Sequence, residues 1–184
     1  MLYRICLETG DNGGDATGTI DSKILGHIFA APYAYFEPKH CHLLCLEGRV
    51  CGYILGTSNS IRFKYSCEKH WWPQLRKEYP LPEILDGSTE TKMITMIHEG
   101  LNCPYVVNQY PAHLHIDLLP QAQGKGFGYK LIEKFCQGLI NQGIQGVHLG
   151  VGRANTRACL FYQKCGFTVL EENEQEFIYG KKLF

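Results

Sequence analysis

The stretch from Ala112 to Val151 constrains what this chain can fold into more than any other part of it. It opens on an alternating run over 112–119, passes through Gln123-Gly124-Lys125-Gly126-Phe127-Gly128, and continues as a helix over 127–142 and a strand over 146–151. Phe127, Leu131, Phe135 and Leu139 recur every four residues with Ile132 and Cys136 beside them, while Lys130, Glu133, Lys134 and Gln137 take the other side. Gly143 stops that helix. A strand that runs through glycines into a helix makes an anion site, because the first N–H groups of the helix are unpaired and its dipole adds partial positive charge. Glycine lets the backbone approach a phosphate with no Cβ in the way, and Lys125 adds charge at the rim.

Three phosphate-binding patterns compete for this turn. A P-loop needs Gly-Lys followed by Ser or Thr, and Lys125 is followed by Gly126. A dinucleotide fingerprint needs further βα units, for which too little chain remains. The third pattern, Gln/Arg-x-x-Gly-x-Gly/Ala, is met by Gln123, Gly126 and Gly128. It is the pyrophosphate turn of the GNAT acetyltransferases. A plain helix N-terminus with flexible glycines is the bland alternative.

One strand later, Asn155-Thr156-Arg157-Ala158-Cys159-Leu160-Phe161-Tyr162-Gln163-Lys164-Cys165-Gly166-Phe167 resembles the second GNAT motif, Asn-x-x-Ala-x-x-Phe-Tyr-x-Lys-x-Gly-Phe. The resemblance is close over 112–184. Gly10 to Gly18, Gly52-Tyr53-Ile54-Leu55-Gly56-Thr57, Trp71-Trp72-Pro73 and His113-Leu114-His115-Ile116-Asp117 extend it over nearly the whole chain. Together they resemble bacterial GNAT proteins akin to the acetyltransferase-like C-terminal domain of O-GlcNAcase, whose animal form looks like a pseudo-acetyltransferase with a degraded turn. The turn here is intact. The resemblance implies a mixed α/β fold in one domain, 1–184. Its sheet would be mostly antiparallel, with a splayed parallel pair at the coenzyme A site and flanking helices. Met1 stands almost at the first helix, so the family's first edge strand is expected to be missing or supplied in some other way.

The same resemblance implies acetyl-CoA as co-substrate and an amine acceptor, either a small molecule or a protein lysine. Gln123, Gly124, Lys125, Gly126, Phe127, Gly128 and Asn155 would contact the cofactor, and backbone groups of Leu118 and Leu119 would hold its pantetheine arm and polarise the thioester. An Asn before a helix is equally an ordinary N-cap. Tyr162 matches the tyrosine that protonates the leaving thiolate, and it also reads as an aromatic packed on the sheet.

The base comes from alternation. His113, His115 and Asp117 share one face of their strand, and a polar face on a central strand suits a cleft lining; His148 on the neighbouring strand joins them. Asp117 is the first choice for the general base and His115 the second, against a self-satisfied polar cluster. Asp11 and Asp15, in the loop where GNAT proteins admit the acceptor, would attract a cationic amine or serve as turn formers. Trp71 would wall the acceptor pocket or pack in the core.

The remaining chain predicts helices over 2–8, 21–30, 61–79, 90–99 and 155–165, and strands over 41–47, 49–57, 167–172 and 176–183. Glu47-Gly48 reads as a tight hairpin turn, Gly10 to Gly18 as a loop with too many breakers for regular structure, and 100–111 as irregular. Lys+Arg and Asp+Glu balance at 18 each, so no net field draws nucleic acid or an anionic membrane. Nine cysteines, mostly within apolar runs, and no opening secretory stretch favour a reducing cytoplasmic setting. His40, Cys41, His42 and Cys45 match no paired zinc pattern, and the acidic loop lacks a calcium loop's closing Glu, so no metal is expected. Beside direct transfer to an amine, two other roles stay open: an acyl-CoA-binding module without turnover, and a fold relic used for protein contacts. The edge left by the missing strand could pair with a second copy in a homodimer.

Overall fold

The computed structural model describes residues 1–84 and 86–184. Strands β1 (His42–Leu46), β2 (Arg49–Thr57), β3 (Ala112–Leu118), β4 (Gly146–Gly152), β5 (Thr168–Glu172) and β6 (Glu176–Lys182) form one sheet in the order β1-β2-β3-β4-β6-β5. Every neighbouring pair is antiparallel except β3 with β4. This is the expected mixed α/β architecture, and no strand precedes the first helix among the described residues. Glu47 and Gly48, both at positive φ (50° and 75°), make the tight turn between β1 and β2.

Helices cover both faces. Six lie on one: α1 (Leu2–Glu8), α2 (Ile24–Phe29), α3 (Ala31–Phe36), α4 (Ser60–His70), α5 (Trp72–Glu78) and α6 (Thr89–Glu99). There Tyr33, Tyr53, Leu55, Phe63, Trp72 and Ile97 share one buried cluster. α7 (Phe127–Ile140) and α8 (Thr156–Lys164) cover the other face, where Leu114, Leu131, Phe135, Leu149 and Tyr162 meet. Of the apolar stripe of α7 predicted from its period, Leu131, Ile132, Phe135, Cys136 and Leu139 are buried, while Phe127 at its start is half-buried. No helix among the described residues is long and apolar enough to cross a membrane.

One predicted helix is in fact two pieces, and another is shorter than expected and followed by a helix not expected from sequence. The stripe over 61–79 breaks at Trp71, because Pro73 in the first turn of α5 supplies no N–H and its ring crowds the carbonyl four residues earlier. The helix expected over 21–30 begins only at Ile24, after a turn in which Asp21 Oδ1 accepts from the N–H groups of Lys23 and Ile24 (2.9 and 3.1 Å). It stops at Ala30, and the chain restarts as α3 with Pro32 in its first turn. The loop 10–18 holds more order than its glycines suggest. Asp11 and Gly14 exchange two backbone hydrogen bonds (3.0 and 2.7 Å) around Asn12 and Gly13, both at positive φ.

Candidate active site

β3 and β4 pair only at Ala112–Val147 and His113–His148, then separate, while each keeps its antiparallel partner on the far side. Between them opens a cleft of about 1070 Å³, lined by β3 from Leu114 to Leu118 and by Gly150, Val151 and Gly152 of β4. Register determines which peptide groups face it. The Leu119 N–H bonds the Cys51 carbonyl (2.8 Å), so by alternation the N–H and C=O groups of Ile116 and Leu118 point away from β2, into the cleft. Arg153 N–H bonds the Gln175 carbonyl (3.0 Å), which by the same rule turns the peptide groups of Gly150 and Gly152 inward. The glycines of β4 are crowded by protein: a Cβ at Gly150 would come within 3.0 Å of Glu176 Oε2, and one at Gly152 within 3.3 Å of Asn12 Oδ1.

The glycine turn closes one end. Gly124 and Gly126 have φ of 71° and 78°, a backbone that other residues adopt at a cost, and a Cβ on either would meet no protein atom. Gly128 is required by packing instead: a Cβ there would come within 3.0 Å of Phe161 Cζ. No side chain caps α7, so its first N–H groups stay free beside the cleft. Gln123 donates from Nε2 to the Leu118 carbonyl (2.6 Å), tying the turn to the end of β3.

Among the cofactor residues expected from sequence, Leu118, Gln123, Gly124, Gly126, Gly128, Asn155 and Tyr162 line this cleft. Leu119, Lys125 and Phe127 do not; the Leu119 N–H is already committed to β2, which removes it as a ligand for the arm. Asn155 also caps α8, accepting from Ala158 N–H at 3.1 Å, so both readings of it coexist.

Asp117, His115 and Tyr162 line the cleft together, and Cys6 lies against it from α1. Burial pushes the Asp117 carboxyl up to about 6, against the opposing pull of the Tyr53 and Thr9 hydroxyls. Burial raises the Tyr162 phenol, with the Asp117 charge adding to it, so it keeps its proton. The Cys6 thiol is pushed by burial to about 12, and burial also raises Cys165, the other cysteine of the lining. Neither is an activated thiolate. His113 and His148 lie behind the lining, with His148 Nδ1 on the Tyr110 carbonyl (2.7 Å). The Tyr33 hydroxyl contacts Nε2 of both His113 (2.8 Å) and His115 (3.1 Å).

The residues assigned to the acceptor stand elsewhere. Asp11 and Asp15 do not line the cleft. Asp15 accepts from the Thr17 N–H (2.8 Å), as a turn former does, and Asp11 accepts from the side chain of Asn12 (Nδ2, 3.1 Å). Trp71 donates its indole N–H to the His27 carbonyl (2.9 Å) and packs on Tyr35 and Phe36, outside the lining. The loop's own contribution is Gly10, Asn12 and Gly13, and the aromatic beside His115 is Phe29, with ring centres 5.5 Å apart. Arg157 and Lys164 of α8 supply cations at the rim. Nothing local in the sequence marked Phe29.

A model described as the Acetyltransferase (GNAT) family matches residues 21–167. The crystal structure of SsHAT superposes with a TM-score of 0.91 at 33% identity, covering 100% of this chain and 92% of that one. Ard1 from Thermoplasma volcanium shares the fold at 16% identity and a TM-score of 0.51, over 83% of this chain and 76% of that one. Protein O-GlcNAcase of Rattus norvegicus is 23% identical over 169 residues, which is 90% of this chain and 18% of that protein. The chain thus spans under a fifth of the length of the curated relatives it matches.

Proposed function

This chain belongs to the GNAT family of acetyltransferases, and on that premise we propose that it moves an acetyl group from acetyl-CoA directly to an amine. The observation that carries the reading is one cleft in which the bare glycine turn, the unpaired peptide edges of β3 and β4, Asp117 and Tyr162 meet. Those residues fit the cofactor. The free N–H groups of the turn suit a pyrophosphate. The inward peptide groups of Ile116, Gly150 and Gly152 and the N–H of Leu118 suit an amide-bearing arm, and Arg157 and Lys164 suit further phosphate charge.

Acetyl-CoA, when bound, supplies an activated thioester. Asp117, ionised above about pH 6, takes a proton from the attacking nitrogen as the new C–N bond forms. Tyr162 gives its phenolic proton to the departing sulfur as the C–S bond breaks, so one proton is taken and one is given. Because the two cleft thiols are held protonated by burial, a covalent acyl-cysteine route has no nucleophile to start from, which supports direct transfer. Asp117 is the one carboxylate among the described residues of the lining, so its charge draws a cationic amine, which loses its ammonium proton to solvent before the neutral nitrogen attacks.

The test is thiol release from acetyl-CoA over a panel of polyamines, amino sugars and lysine peptides, run beside cofactor-dependent thermal stabilisation. Release with at least one amine is expected. Stabilisation without release from any amine sinks transfer and leaves an acyl-CoA-binding module; no stabilisation sinks both.

A further inference from the structure

The hydrogen-bond chain behind the cleft has a direction, and that direction fixes a proton on His115. It starts at the Pro111 carbonyl, which has no proton to give. The Ser60 hydroxyl lies 2.7 Å from that carbonyl and 2.7 Å from His113 Nδ1. Ser60 has one proton. Two oxygens at hydrogen-bond distance need it between them, so Ser60 donates to Pro111 and accepts from His113 Nδ1–H. Burial, with His115 and His148 nearby, keeps His113 neutral, which leaves its Nε2 bare. The Tyr33 hydroxyl, 2.8 Å away, donates to that nitrogen. Its oxygen can then only accept from His115 Nε2, at 3.1 Å.

His115 is therefore protonated on Nε2 and bare on Nδ1. That Nδ1 makes no hydrogen bond to protein, and it is absent from the buried unpaired atoms of the described residues, which are His27 Nε2, the Tyr53 hydroxyl and Trp72 Nε1. It is reached from solvent, on a residue that lines the cleft beside Asp117. Free imidazole in water exchanges between its two tautomers, and only one of them offers a lone pair at Nδ1. We propose that Ser60, His113 and Tyr33 are positioning residues that lock His115 in the Nε2–H tautomer, making its Nδ1 the neutral acceptor that orients an N–H of the incoming amine in the cleft. The assignment rests on the transfer reading for its substrate, but the tautomer stands or falls independently.

Tyr33 is stacked on Phe63 at 4.3 Å and wholly buried, so the chain is held by packing as well as by its polar ends. Tyr33→Phe keeps that packing and removes the link. Ser60→Ala removes the far end, three hydrogen bonds from His115.

The experiment is ¹⁵N-histidine NMR of the full chain with long-range proton correlations, which identifies the protonated ring nitrogen, together with steady-state kinetics on the best amine of the panel. Expected in the wild type is Nε2–H on His115. Tyr33→Phe and Ser60→Ala should each give mixed tautomers at His115, with kcat on the amine about tenfold lower and the acetyl-CoA KM little changed. His115→Ala should lower kcat at least as much. An Nδ1–H tautomer in the wild type overturns the proposal, as does an unchanged His115 spectrum in both variants. Unchanged amine kinetics in His115→Ala overturns the acceptor role even where the tautomer is as expected. Absence of turnover in the wild type, by contrast, overturns the transfer reading, and with it the substrate for Nδ1, while the NMR result still reports on the lock.

Discussion

Tyr53 and Asp117 stand directly opposite one another in the β2–β3 register, where the buried tyrosine hydroxyl opposes, without cancelling, the effect of burial on the carboxyl. This pairing puts a carboxylate in a place that solvates it poorly. A buried carboxylate is costly, and such costs concentrate where chemistry needs a group held away from its resting preference. Here the preference displaced is that of the carboxyl for its charged form.

The first prediction follows from that displacement. The folded carboxyl keeps its proton to about pH 6, whereas an unfolded Asp loses it near pH 3.9, so between those values the native state binds more protons. Stability should accordingly fall as pH rises from about 4 to about 6 and stay lower above. Asp117→Asn removes this loss, raising unfolding free energy at pH 7 by up to about 3 kcal/mol while changing little at pH 4. The same variant should lose amine transfer by about two orders of magnitude. In the wild type kcat/KM should rise with pH through an apparent value near 6. Urea titrations at pH 4 and 7 and a pH–rate profile check both halves, and a destabilised Asp117→Asn at pH 7 contradicts the assignment.

Tyr162 carries the second. Its phenol holds its proton because burial and the nearby Asp117 charge both oppose ionisation. Tyr162→Phe should lower kcat about 10- to 100-fold and leave acetyl-CoA affinity within a few-fold, since the proton is needed only as the thiolate leaves. A better leaving thiol in a synthetic acyl donor should narrow the deficit. Equal loss of affinity and rate would mark the ring as packing rather than as an acid.

Most of the cleft's frame was legible because it is written in local periods. The period-two polar face of β3 and the four-residue stripe of α7 are set by backbone geometry, and the glycine turn by dihedrals that only glycine adopts freely. Pro73 was equally visible, yet the stripe Phe63, Cys67, Trp71 and Leu75 ran across it in register, and the break won because a missing N–H outweighs a well-placed side chain. What sequence could not supply is which distant elements come to the mouth. Phe29 and Tyr33 reach β3 because the chain breaks at Ala30 and turns, an event whose contacts are separated by about 80 residues.

The three glycines of the turn should respond differently, which is the third prediction. Gly124→Ala and Gly126→Ala meet no steric clash, but each places a Cβ on a backbone at positive φ, costing about 1–2 kcal/mol each. They should also weaken acetyl-CoA binding where the Cβ stands between the turn's N–H groups and a phosphate. Gly128→Ala has ordinary helical backbone and instead presses on Phe161 at 3.0 Å, so its effect should be relieved by Phe161→Leu. Calorimetric binding and thermal melts of the single and double variants separate the two causes.

Trp71 and Phe29 give the last. Trp71 anchors the α4–α5 elbow through its bond to the His27 carbonyl and its packing on Tyr35 and Phe36, and it does not line the cleft. Trp71→Ala should therefore cost about 2–4 kcal/mol of stability, less than a fully buried Trp because the side chain is only half-buried, and should leave the KM for the amine near its wild-type value below the melting point. Phe29→Ala should do the reverse. Its ring lies against His115 at the cleft wall, so its loss should raise the amine KM several-fold with a smaller stability penalty. Asp15→Asn, which disturbs only an exposed turn, should move neither. A raised amine KM in Trp71→Ala or Asp15→Asn, with Phe29→Ala unaffected, would move the acceptor site from the β3 wall to the outer loop.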